Sequence, residues 1–360
     1  MATDRVLTWP TLLTDLIAGR DLDRAATEWA MGQIMAGEAS PAQVSGLLVG
    51  LRAKGESVAE MEGLAEQMLA HANRIEVPGT SLDIVGTGGD RAHTVNISTM
   101  ASMVAAAAGV RIVKHGNRAA SSSSGSADVL EALGIDLTLP PERVAAVALE
   151  AGITFCFAQT FHPSMRHAAV ARRDLGVGTA FNFLGPLTNP AQPTYAAVGC
   201  ADARMAPLLA GVFAARGKDA AVFRGDDGLD EVTVSTTTRV WWVRDGRVAD
   251  RSLDPTRLGV DLQPIEALRG GDAAHNAGVV VDVFAGARGA VRDAVVLNAG
   301  IALALTEPDS AAGADGAEGV EVADAFHADV RAGMDRAEQA IDSGAATALV
   351  DRWIAATRGR

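Results

Sequence analysis

The chain has 360 residues, of which 48% are hydrophobic and 21% are charged, and its net charge is −13 at pH 7. This length supports two domains, or one large domain with a small one attached, and the composition argues against disorder. The negative charge disfavours a broad surface for nucleic acid or for anionic lipid. An anionic substrate would therefore need positive groups gathered at one place.

The N-terminus has no basic segment followed by an apolar run, so we expect no signal peptide. The apolar runs are too short or too interrupted to cross a bilayer. Cys156 and Cys200 have no metal-binding spacing and lie among apolar residues, which predicts buried free thiols in a reducing compartment. The sequence therefore predicts a cytoplasmic protein with no membrane partner.

Residues 1–75 carry apolar side chains at helical spacing and predict four short helices. Residues typical of helix N-caps precede the last three: Asp21 or Asp23, then Ser40 before Pro41, then Ser57. We expect a small all-helical domain here. A helical pattern at about 160–177 indicates that this segment joins the same domain.

After Pro78 the pattern changes to strands, glycine loops and helices. Leu82–Val85 is a predicted strand that runs into the loop GTGGD, and Asn96 is placed to cap an alanine-rich helix that ends near Ala108. Val110–Val113 is the next predicted strand, followed by KHGNRAASSSSGSADVLEALG from Lys114 to Gly134. This order is typical of a parallel sheet.

The rest of the chain continues the α/β pattern. Further predicted strands are Ile153–Phe157, Ala196–Gly199, Ala220–Phe223 and Val240–Arg244, with a hairpin turn at Asp245-Gly246. The C-terminal part is helical apart from a predicted loop at Pro308 to Gly319. The sequence therefore predicts a large α/β domain over 76–159 and 178–360, with a mainly parallel central sheet surrounded by helices.

Two glycine-rich loops follow the first two strands of this predicted sheet. Ligands bind parallel sheets at the carboxyl ends of the strands, and the loop that begins at Lys114 offers backbone N–H groups, hydroxyls and a positive charge to a polyanion. GTGGD lacks the spacing of a dinucleotide fingerprint and the lysine of a P-loop, and taken alone it could be only a tight turn. Together the two loops predict one ligand with more than one phosphate.

Two further patterns point to a metal and to a carboxylate. Asp230-Glu231, in GDDGLDEVT, offers the hard oxygen ligands that Mg²⁺ prefers, although a solvated acidic turn with Asp226 and Asp227 is the alternative. Arg172 can grip a carboxylate through its planar fork, and His162 can line an aromatic pocket. The alternatives are a solvated helical arginine and a surface or core histidine, and we assign His93 and His167 to that second class.

Six motifs occur in one order along nearly the whole chain: GTGGD, NIST, KHGNRAASSSSGSADVLEALG, HPSMRHAAVARR, FNFLGPLTNP and LDE. This set resembles the anthranilate phosphoribosyltransferase family, within the class of nucleoside phosphorylases and phosphoribosyltransferases. The resemblance implies transfer of phosphoribose from phosphoribosyl pyrophosphate to the amine of anthranilate, as the second step of the tryptophan branch. It also implies a requirement for Mg²⁺, with two ions, and a homodimer that pairs through the small domain.

The resemblance also implies which residues form the site. Around the phosphoribosyl donor it places two groups of residues, first Gly86, Thr87, Gly89, Asp90, Thr94, Asn96, Ile97, Ser98 and Thr99, and second Lys114, His115, Gly116, Asn117, Arg118, Ala119, Ala120, Ser121, Ser122 and Ser126. Magnesium would be bound by Ser98, Asp230 and Glu231. The acceptor would be held by Asn117 and Arg172, with His115 and His162 nearby, and the residues with catalytic roles would be Lys114, Asn117 and Arg172.

Two positions depart from the family pattern. Gln159 stands where many relatives have proline and Gly178 where many have arginine, and both flank the acceptor side. They leave open another aromatic acid, such as a hydroxybenzoate, as the acceptor. Two different protein classes also compete with this interpretation: a pyrimidine nucleoside phosphorylase, disfavoured by KHGNRA, and a non-catalytic nucleic-acid-binding relative, disfavoured by the net charge and by the acidic pair.

Overall fold

Side-chain caps fix where the first four helices begin in the computed structural model of the chain. The side chains of Thr8, Asp23, Ser40 and Ser57 each accept a backbone N–H of the helix that follows, which satisfies a donor left unpaired at a helix N-terminus. The four helices are α1 (Trp9–Ile17), α2 (Arg24–Met35), α3 (Pro41–Lys54) and α4 (Val58–Ala70). The predicted N-terminal helices are confirmed, and Asp23 rather than Asp21 caps the second.

The structure describes residues 6–119, 123–307 and 320–359. Three predicted site residues, Ala120, Ser121 and Ser122, lie outside these ranges, as does the predicted loop at Pro308 to Gly319. None of the helices in the described ranges combines the length and the apolar composition that crossing a bilayer would need.

Seven strands form one sheet in the order β3-β2-β1-β4-β5-β6-β7. The strands are β1 (Leu82–Gly86), β2 (Ile112–Gly116), β3 (Ile153–Phe157), β4 (Tyr195–Gly199), β5 (Asp219–Gly225), β6 (Thr238–Arg244) and β7 (Arg247–Leu253). The first five are parallel, and β6 and β7 are antiparallel. The predicted mainly parallel sheet is therefore confirmed, and the Asp245-Gly246 turn closes the β6–β7 hairpin.

Within the described ranges, ten further helices surround the sheet. They are α5 (Ile97–Ala107), α6 (Ser126–Ala132), α7 (Pro141–Ala151), α8 (Ala158–Phe161), α9 (Ala169–Leu175), α10 (Met205–Ala215), α11 (Ala273–Phe284), α12 (Ala290–Leu305), α13 (Val320–Asp342) and α14 (Ala345–Thr357). Fully buried side chains such as Val104, Leu297 and Trp353 join α5, α12 and α14 in one apolar cluster on one face of the sheet. Each such side chain contributes about 1.5–3 kcal/mol through burial.

The N-terminal helices and the other face of the sheet share a second apolar cluster. It includes Met31 and Leu48 from the helices and Val198 and Val222 from β4 and β5. Ala171 of α9 belongs to the same cluster, and α9 contacts α3. The helical part is thus attached directly to the sheet, while the domain limits drawn from the sequence stay a prediction.

Three local predictions differ from the structure. Strand β2 begins at Ile112 rather than at Val110, because the N–H of Val110 is still bonded to the carbonyl of Ala105 at the end of α5. Strand β7 has the polar sequence RVADRSL and lies at the sheet edge, so no apolar alternation marks it. Asn96 is the N-cap residue of α5, but its side chain makes no capping bond; it bonds Ser124 and Asn276 instead.

Candidate active site

The carboxyl ends of β1 and β2 open into a cleft of about 350 Å³, a volume within the usual range for small-molecule sites. Its lining includes most of the residues that the sequence singled out: Gly86, Thr87, Gly89, Asp90, Thr94, Ser98, Lys114, His115, Gly116, Asn117, Arg118, Ala119, Ser126, Asp230 and Glu231. The two glycine-rich loops and the acidic pair therefore face one common space, although they are far apart in the chain.

Five predicted residues do not line this cleft, namely Asn96, Ile97, Thr99, His162 and Arg172. Thr99 lies directly behind it, since its hydroxyl donates to Ser126 Oγ at 3.0 Å. A second cavity of about 340 Å³, at the start of β4 and β5 and lined by Tyr195 and Asp219, contains none of the predicted residues.

The acidic pair is buried at the floor of the cleft. Asp230 and Glu231 are only 8% and 7% exposed. Asp230 Oδ2 accepts the N–H of Gly88 at 2.6 Å, and Glu231 Oε1 accepts the N–H of Ser98 at 3.1 Å. The alternative of a solvated acidic turn is therefore wrong for these two residues, although it holds for the neighbouring Asp226.

Burial and mutual repulsion oppose ionisation of this pair. Burial first, and the nearby Glu231 and Asp90 next, raise the pKa of Asp230 well above its usual range. Burial also raises the pKa of Glu231 to about 7, against the opposing effect of Lys114. Two carboxylates held together in this way favour a cation between them and the ligand.

Glycines allow the acidic loop to come this close to the strands. A Cβ atom on Gly199, the last residue of β4, would stand 1.6 Å from the carbonyl oxygen of Asp230, and one on Gly86 would stand 2.4 Å from Asp230 Oδ2. Any side chain at either position would displace Asp230 from the floor of the cleft. Gly88 and Gly89 serve a different need, since both adopt the left-handed conformation that favours glycine.

Lys114 lies beneath the cleft and is 1% exposed. Its Nζ donates to the carbonyl of Ile84 and, at 3.4 Å, to Ser98 Oγ. Burial lowers the pKa of Lys114, while the carboxylates of Asp83, Glu231 and Asp230 oppose this shift, in that order. The lysine therefore supplies its positive charge from below the ligand rather than by reaching into solvent.

Asp83 is the buried counter-charge on β1 for this lysine. Its two oxygens accept the N–H of His115 at 3.2 Å and Asn189 Nδ2 at 2.9 Å. Burial raises the pKa of Asp83 to about 6, although Lys114 and these hydrogen bonds favour the carboxylate. Asp83 thus fixes the backbone beside Lys114.

The second loop is fastened to helix α6. Asp128 Oδ2 accepts the N–H of Ala119 at 3.0 Å and that of Gly125 at 2.9 Å. Arg118 forms ion pairs with Asp128 and Glu131 on the same helix. Asp128 therefore holds the backbone at Ala119 and at Gly125, and the charge of Arg118 is already balanced by carboxylates.

His115 and His162 form a buried pair, with ring centroids 5.0 Å apart. His115 Nδ1 bonds the carbonyl of Gly185 at 3.0 Å, and His162 Nε2 bonds that of Thr188 at 2.9 Å. The other nitrogen of each ring is buried and has no hydrogen-bond partner among the described residues. Burial lowers the pKa of His115 to about 3 and that of His162 to about 4, so both rings are neutral at physiological pH.

Arg172 lies beside the cleft rather than in its lining. Its guanidinium stands over the ring of Phe181, 5.7 Å from the centroid, and burial lowers its pKa. Among the described residues no carboxylate pairs with it, whereas Arg173 is 73% exposed and lies 3.4 Å from Asp174. The two adjacent arginines are therefore in very different environments.

Sequence reasoning missed several residues that line the cleft. Asn182 is one, since FNFLGPLTNP enters only as one of the six motifs that carry the family resemblance. His93, which we assigned to an ordinary surface or core position, is another, and its φ of 53° places it in the left-handed region. The others are Val85, Gly88, Arg91, Ser124 and Gly125. Gly88 lies within the GTGGD loop, so the loop motif itself was a signal for it.

Comparisons with known proteins agree with this architecture. A model described as the helical bundle domain of a glycosyl transferase family matches residues 10–72, and one for the a/b domain of a glycosyl transferase family matches residues 79–347. An anthranilate phosphoribosyltransferase from a Nocardioides species is 61% identical over 97% of this chain and 99% of its own length. The enzyme of that name from an Arthrobacter species is 58% identical over 98% of this chain and 97% of its own length.

The chain belongs to the anthranilate phosphoribosyltransferase family. The resemblance drawn from the six motifs is thereby confirmed, and the family is favoured over the nucleoside phosphorylase and nucleic-acid-binding classes. The crystal structure of the anthranilate phosphoribosyltransferase from Thermus thermophilus has a TM-score of 0.86 and 38% identity, covering 96% of this chain and 99% of its own.

A more distant member of the family supports the fold alone. The anthranilate phosphoribosyltransferase from Saccharomyces cerevisiae, in complex with PRPP and Mg, has a TM-score of 0.84 and 24% identity, and the match covers 98% of each chain. The helical and α/β parts of this chain are thus arranged as in solved family members.

Replacing Gly199 by alanine tests whether this glycine places the acidic pair. We expect Gly199→Ala to lower the melting temperature by several degrees and to reduce turnover, because the new methyl group must push Asp230 away. Gly278→Ala is the matched control, since a Cβ at Gly278 meets nothing within 4 Å and Gly278 does not line the cleft. Equal melting temperatures and turnover in both variants would contradict this role.

The histidine pair predicts an acid sensitivity of a definite sign. Below pH 6.5 both imidazoles are protonated in the unfolded chain but not in the folded chain. The free energy of unfolding therefore decreases as the pH is lowered, by at most roughly 1.4 kcal/mol per pH unit for each histidine. We expect the double variant His115→Asn with His162→Gln to lose less free energy of unfolding between pH 6.5 and 4.5 than the native chain does. The two amides keep the donors to the carbonyls of Gly185 and Thr188. Urea unfolding at both pH values measures it.

The comparison must be made as a difference between variant and native chain. The raised pKa of Asp83 acts in the opposite direction between its ordinary value and about 6, but it is common to both proteins and cancels. Identical losses in the two proteins would show that the histidines do not titrate on unfolding as described.

Proposed function

We infer that this protein transfers the 5-phosphoribosyl group from phosphoribosyl pyrophosphate to the amine of anthranilate, giving N-(5-phosphoribosyl)anthranilate and pyrophosphate. The observation that carries this conclusion is the meeting of two glycine-rich loops and a buried carboxylate pair in one cleft, in a chain that is similar over its whole length to enzymes of that name. The experiment is turnover of the two substrates with Mg²⁺.

The donor set at the floor of the cleft fits magnesium. We propose that Asp230, Glu231 and the hydroxyl of Ser98 hold it, with two ions in all. Among the described residues no group of three or more acidic, histidine or cysteine side chains forms a complete metal cage. This suits Mg²⁺, which usually takes one or two carboxylates and completes its shell with water and substrate phosphates. When bound, magnesium supplies positive charge to the leaving pyrophosphate.

The protein would bind the donor mainly through its backbone. The GTGGD loop and Ser98 in the first turn of α5 line the cleft, and a helix N-terminus favours phosphate. Lys114 adds its charge from below through Ser98. The residues from Asn117 to Ala119 form the facing wall, where Arg118 is already paired with Glu131 and the N–H of Ala119 is already bonded to Asp128.

Arg172 is the residue we propose for the carboxylate of the acceptor. It is a half-buried cation without a carboxylate among its described neighbours, and an anionic ligand would supply one. Phe181, whose ring lies beneath the Arg172 guanidinium, is followed in the chain by Asn182 of the cleft lining. An acceptor whose carboxylate is bound by Arg172 would therefore direct its aromatic ring toward the donor. Asn117 would contact the same acceptor from the second loop, with His115 and His162 as neutral neighbours.

The reaction needs no covalent intermediate with the protein. The amine nitrogen of the acceptor attacks the anomeric carbon as its bond to pyrophosphate oxygen breaks, the electron pair leaves with pyrophosphate, and the nitrogen then loses a proton to solvent. Positive charge develops on the sugar, as in other glycosyl transfers. An aromatic amine is neutral and nucleophilic at pH 7, so we expect the rate enhancement to come from positioning and from stabilising the leaving group.

We also propose that two copies of the chain pair through the helical part, as the resemblance implies. Helices α1 and α3 present a shallow groove lined by Leu13, Ile17, Gly46 and Val49. Ile17 and Val49 are 86% and 45% exposed in the single chain, and a contiguous exposed apolar patch is typical of an interface. Anthranilate remains our proposed acceptor over a hydroxybenzoate.

Removal of the acidic pair tests the metal site. Asp230→Ala with Glu231→Ala should lower kcat by at least a hundredfold at saturating Mg²⁺, because the charge on the leaving group would be unbalanced. Steady-state pyrophosphate release measures it. Asp226→Ala, which removes an exposed carboxylate from the same loop, should keep kcat within twofold. Near-native turnover by the double variant would refute the metal assignment.

Arg172 and Arg173 form a natural pair for testing the acceptor site. Arg172→Ala should raise the KM for anthranilate by roughly tenfold to a hundredfold, because a charge-assisted hydrogen bond contributes about 1.5–3 kcal/mol, and leave the KM for the donor within twofold. Arg173→Ala should change neither KM. Initial rates at varied anthranilate decide it, and an unchanged acceptor KM in Arg172→Ala would place the carboxylate elsewhere.

A further inference from the structure

We propose that Asn276 is a positioning residue that holds both donor-binding loops in their binding conformation before the donor arrives. This inference rests on the proposed function, because it concerns the same phosphoribosyl donor. Asn276 lies in the first turns of α11, far along the chain from the loops it controls, and it is 2% exposed.

The side chain of Asn276 connects three segments of the chain. Its Nδ2 donates to Asn96 Oδ1 at 2.8 Å, and its Oδ1 accepts the N–H of Gly271 at 2.8 Å. Asn96 in turn donates from Nδ2 to the carbonyl of Ser124 at 3.1 Å. Asn96 ends the segment that contains the first loop, and Ser124 belongs to the second, so one continuous chain of hydrogen bonds joins both loops to α11.

The orientation of each amide in this chain follows from its partners. The N–H of Gly271 can only donate, so the oxygen of Asn276 must face it and the NH₂ group must face Asn96. The carbonyl of Ser124 can only accept, so the NH₂ group of Asn96 must face Ser124. Each amide therefore has one orientation that satisfies both of its contacts, which is why a buried asparagine fits here and an apolar side chain would not.

The segment next to Asn276 also holds the first loop directly. The N–H of Gly270 donates to the carbonyl of His93 at 2.8 Å, and the N–H of Val95 donates to that of Leu268 at 2.9 Å. A Cβ on Gly270 would stand 2.9 Å from both the backbone of Val95 and the oxygen of Asn276. Residues 93 to 95 therefore pair with residues 268 to 270, and the hydrogen bond from Gly271 to Asn276 holds the end of this second segment in place.

Arg91 and His93 give a reason why such support is needed. Both have positive φ, 61° and 53°, in a region that residues other than glycine rarely adopt. A strained backbone persists only where its surroundings impose it. Without Asn276 we expect the first loop to sample other conformations, and donor binding would then have to select the competent one, which raises the apparent dissociation constant.

The test compares two variants of Asn276 with a buried control. Asn276→Ala removes both contacts, and Asn276→Asp keeps the size and the acceptor for Gly271 but cannot donate to Asn96. Thr357→Val is the control, because Thr357 is buried and accepts the N–H of Asp136 at 3.3 Å, outside the cleft lining. We expect both Asn276 variants to raise the donor KM at least tenfold with the acceptor KM within twofold, and the control to change neither.

A double variant separates positioning from a general loss of stability. If Asn276 acts through Asn96, then Asn96→Ala with Asn276→Asp, which keeps the acceptor for Gly271, should have a donor KM within twofold of Asn96→Ala alone. A donor KM in Asn276→Asp within twofold of the native value, or effects of the two single changes that multiply in the double variant, would overturn the proposal.

Amide hydrogen exchange of the ligand-free protein gives a readout that does not depend on turnover. Asn276→Asp should speed exchange at least tenfold at amides of residues 88–95, while those of α14 keep their native rates. Unchanged exchange at residues 88–95 would overturn the proposal even if the protein is active. If the native protein shows no turnover but Asn276→Asp still speeds exchange at residues 88–95, the proposed function is rejected and this role of Asn276 is kept.

Discussion

A buried set of charges below the two glycine-rich loops is the constraint on which the site depends. Lys114 is buried, and the carboxylates of Asp83, Glu231 and Asp230 act on it electrostatically; removing one member of such a buried set of charges costs several kcal/mol. Each carboxylate also accepts a backbone N–H, from His115, Gly88 and Ser98 respectively. The charges therefore fix the backbone of both loops, and the loops shape the cleft.

The buried charges that hold the loops also affect how the cleft binds a ligand. One lysine faces three carboxylates, so the site without a ligand has an excess of negative charge, and the pKa values of Asp230 and Glu231 are raised. Under the proposed function, a magnesium-bound polyanion would bring a cation to these carboxylates and phosphates to the loops around them. The protein with its net charge of −13 can thus bind an anionic donor, because the positive groups are placed locally and the metal completes them.

The sequence predicted most of the fold and part of the candidate site. Strong N-caps such as Ser40 and Ser57, and the strand-to-glycine-loop order around Gly86, are local signals, and the elements they predict are present. The polar edge strand β7 and the role of Asn96 were not predictable in this way, since both depend on partners far along the chain. Asn276 carries no local motif, and the motif FNFLGPLTNP gives no role to Asn182. Only the folded chain shows that Asn182 lines the cleft and that Asn276 bonds Asn96 beside it.

The central claim is that the cleft uses Mg²⁺ to transfer phosphoribose to an aromatic amine. The most direct measurement is pyrophosphate release from phosphoribosyl pyrophosphate by the native protein, with anthranilate or 4-hydroxybenzoate as acceptor, with and without Mg²⁺. The account predicts release with anthranilate that stops when Mg²⁺ is chelated, and release near background with 4-hydroxybenzoate. Absence of release with anthranilate and Mg²⁺, or equal release after chelation, would contradict it.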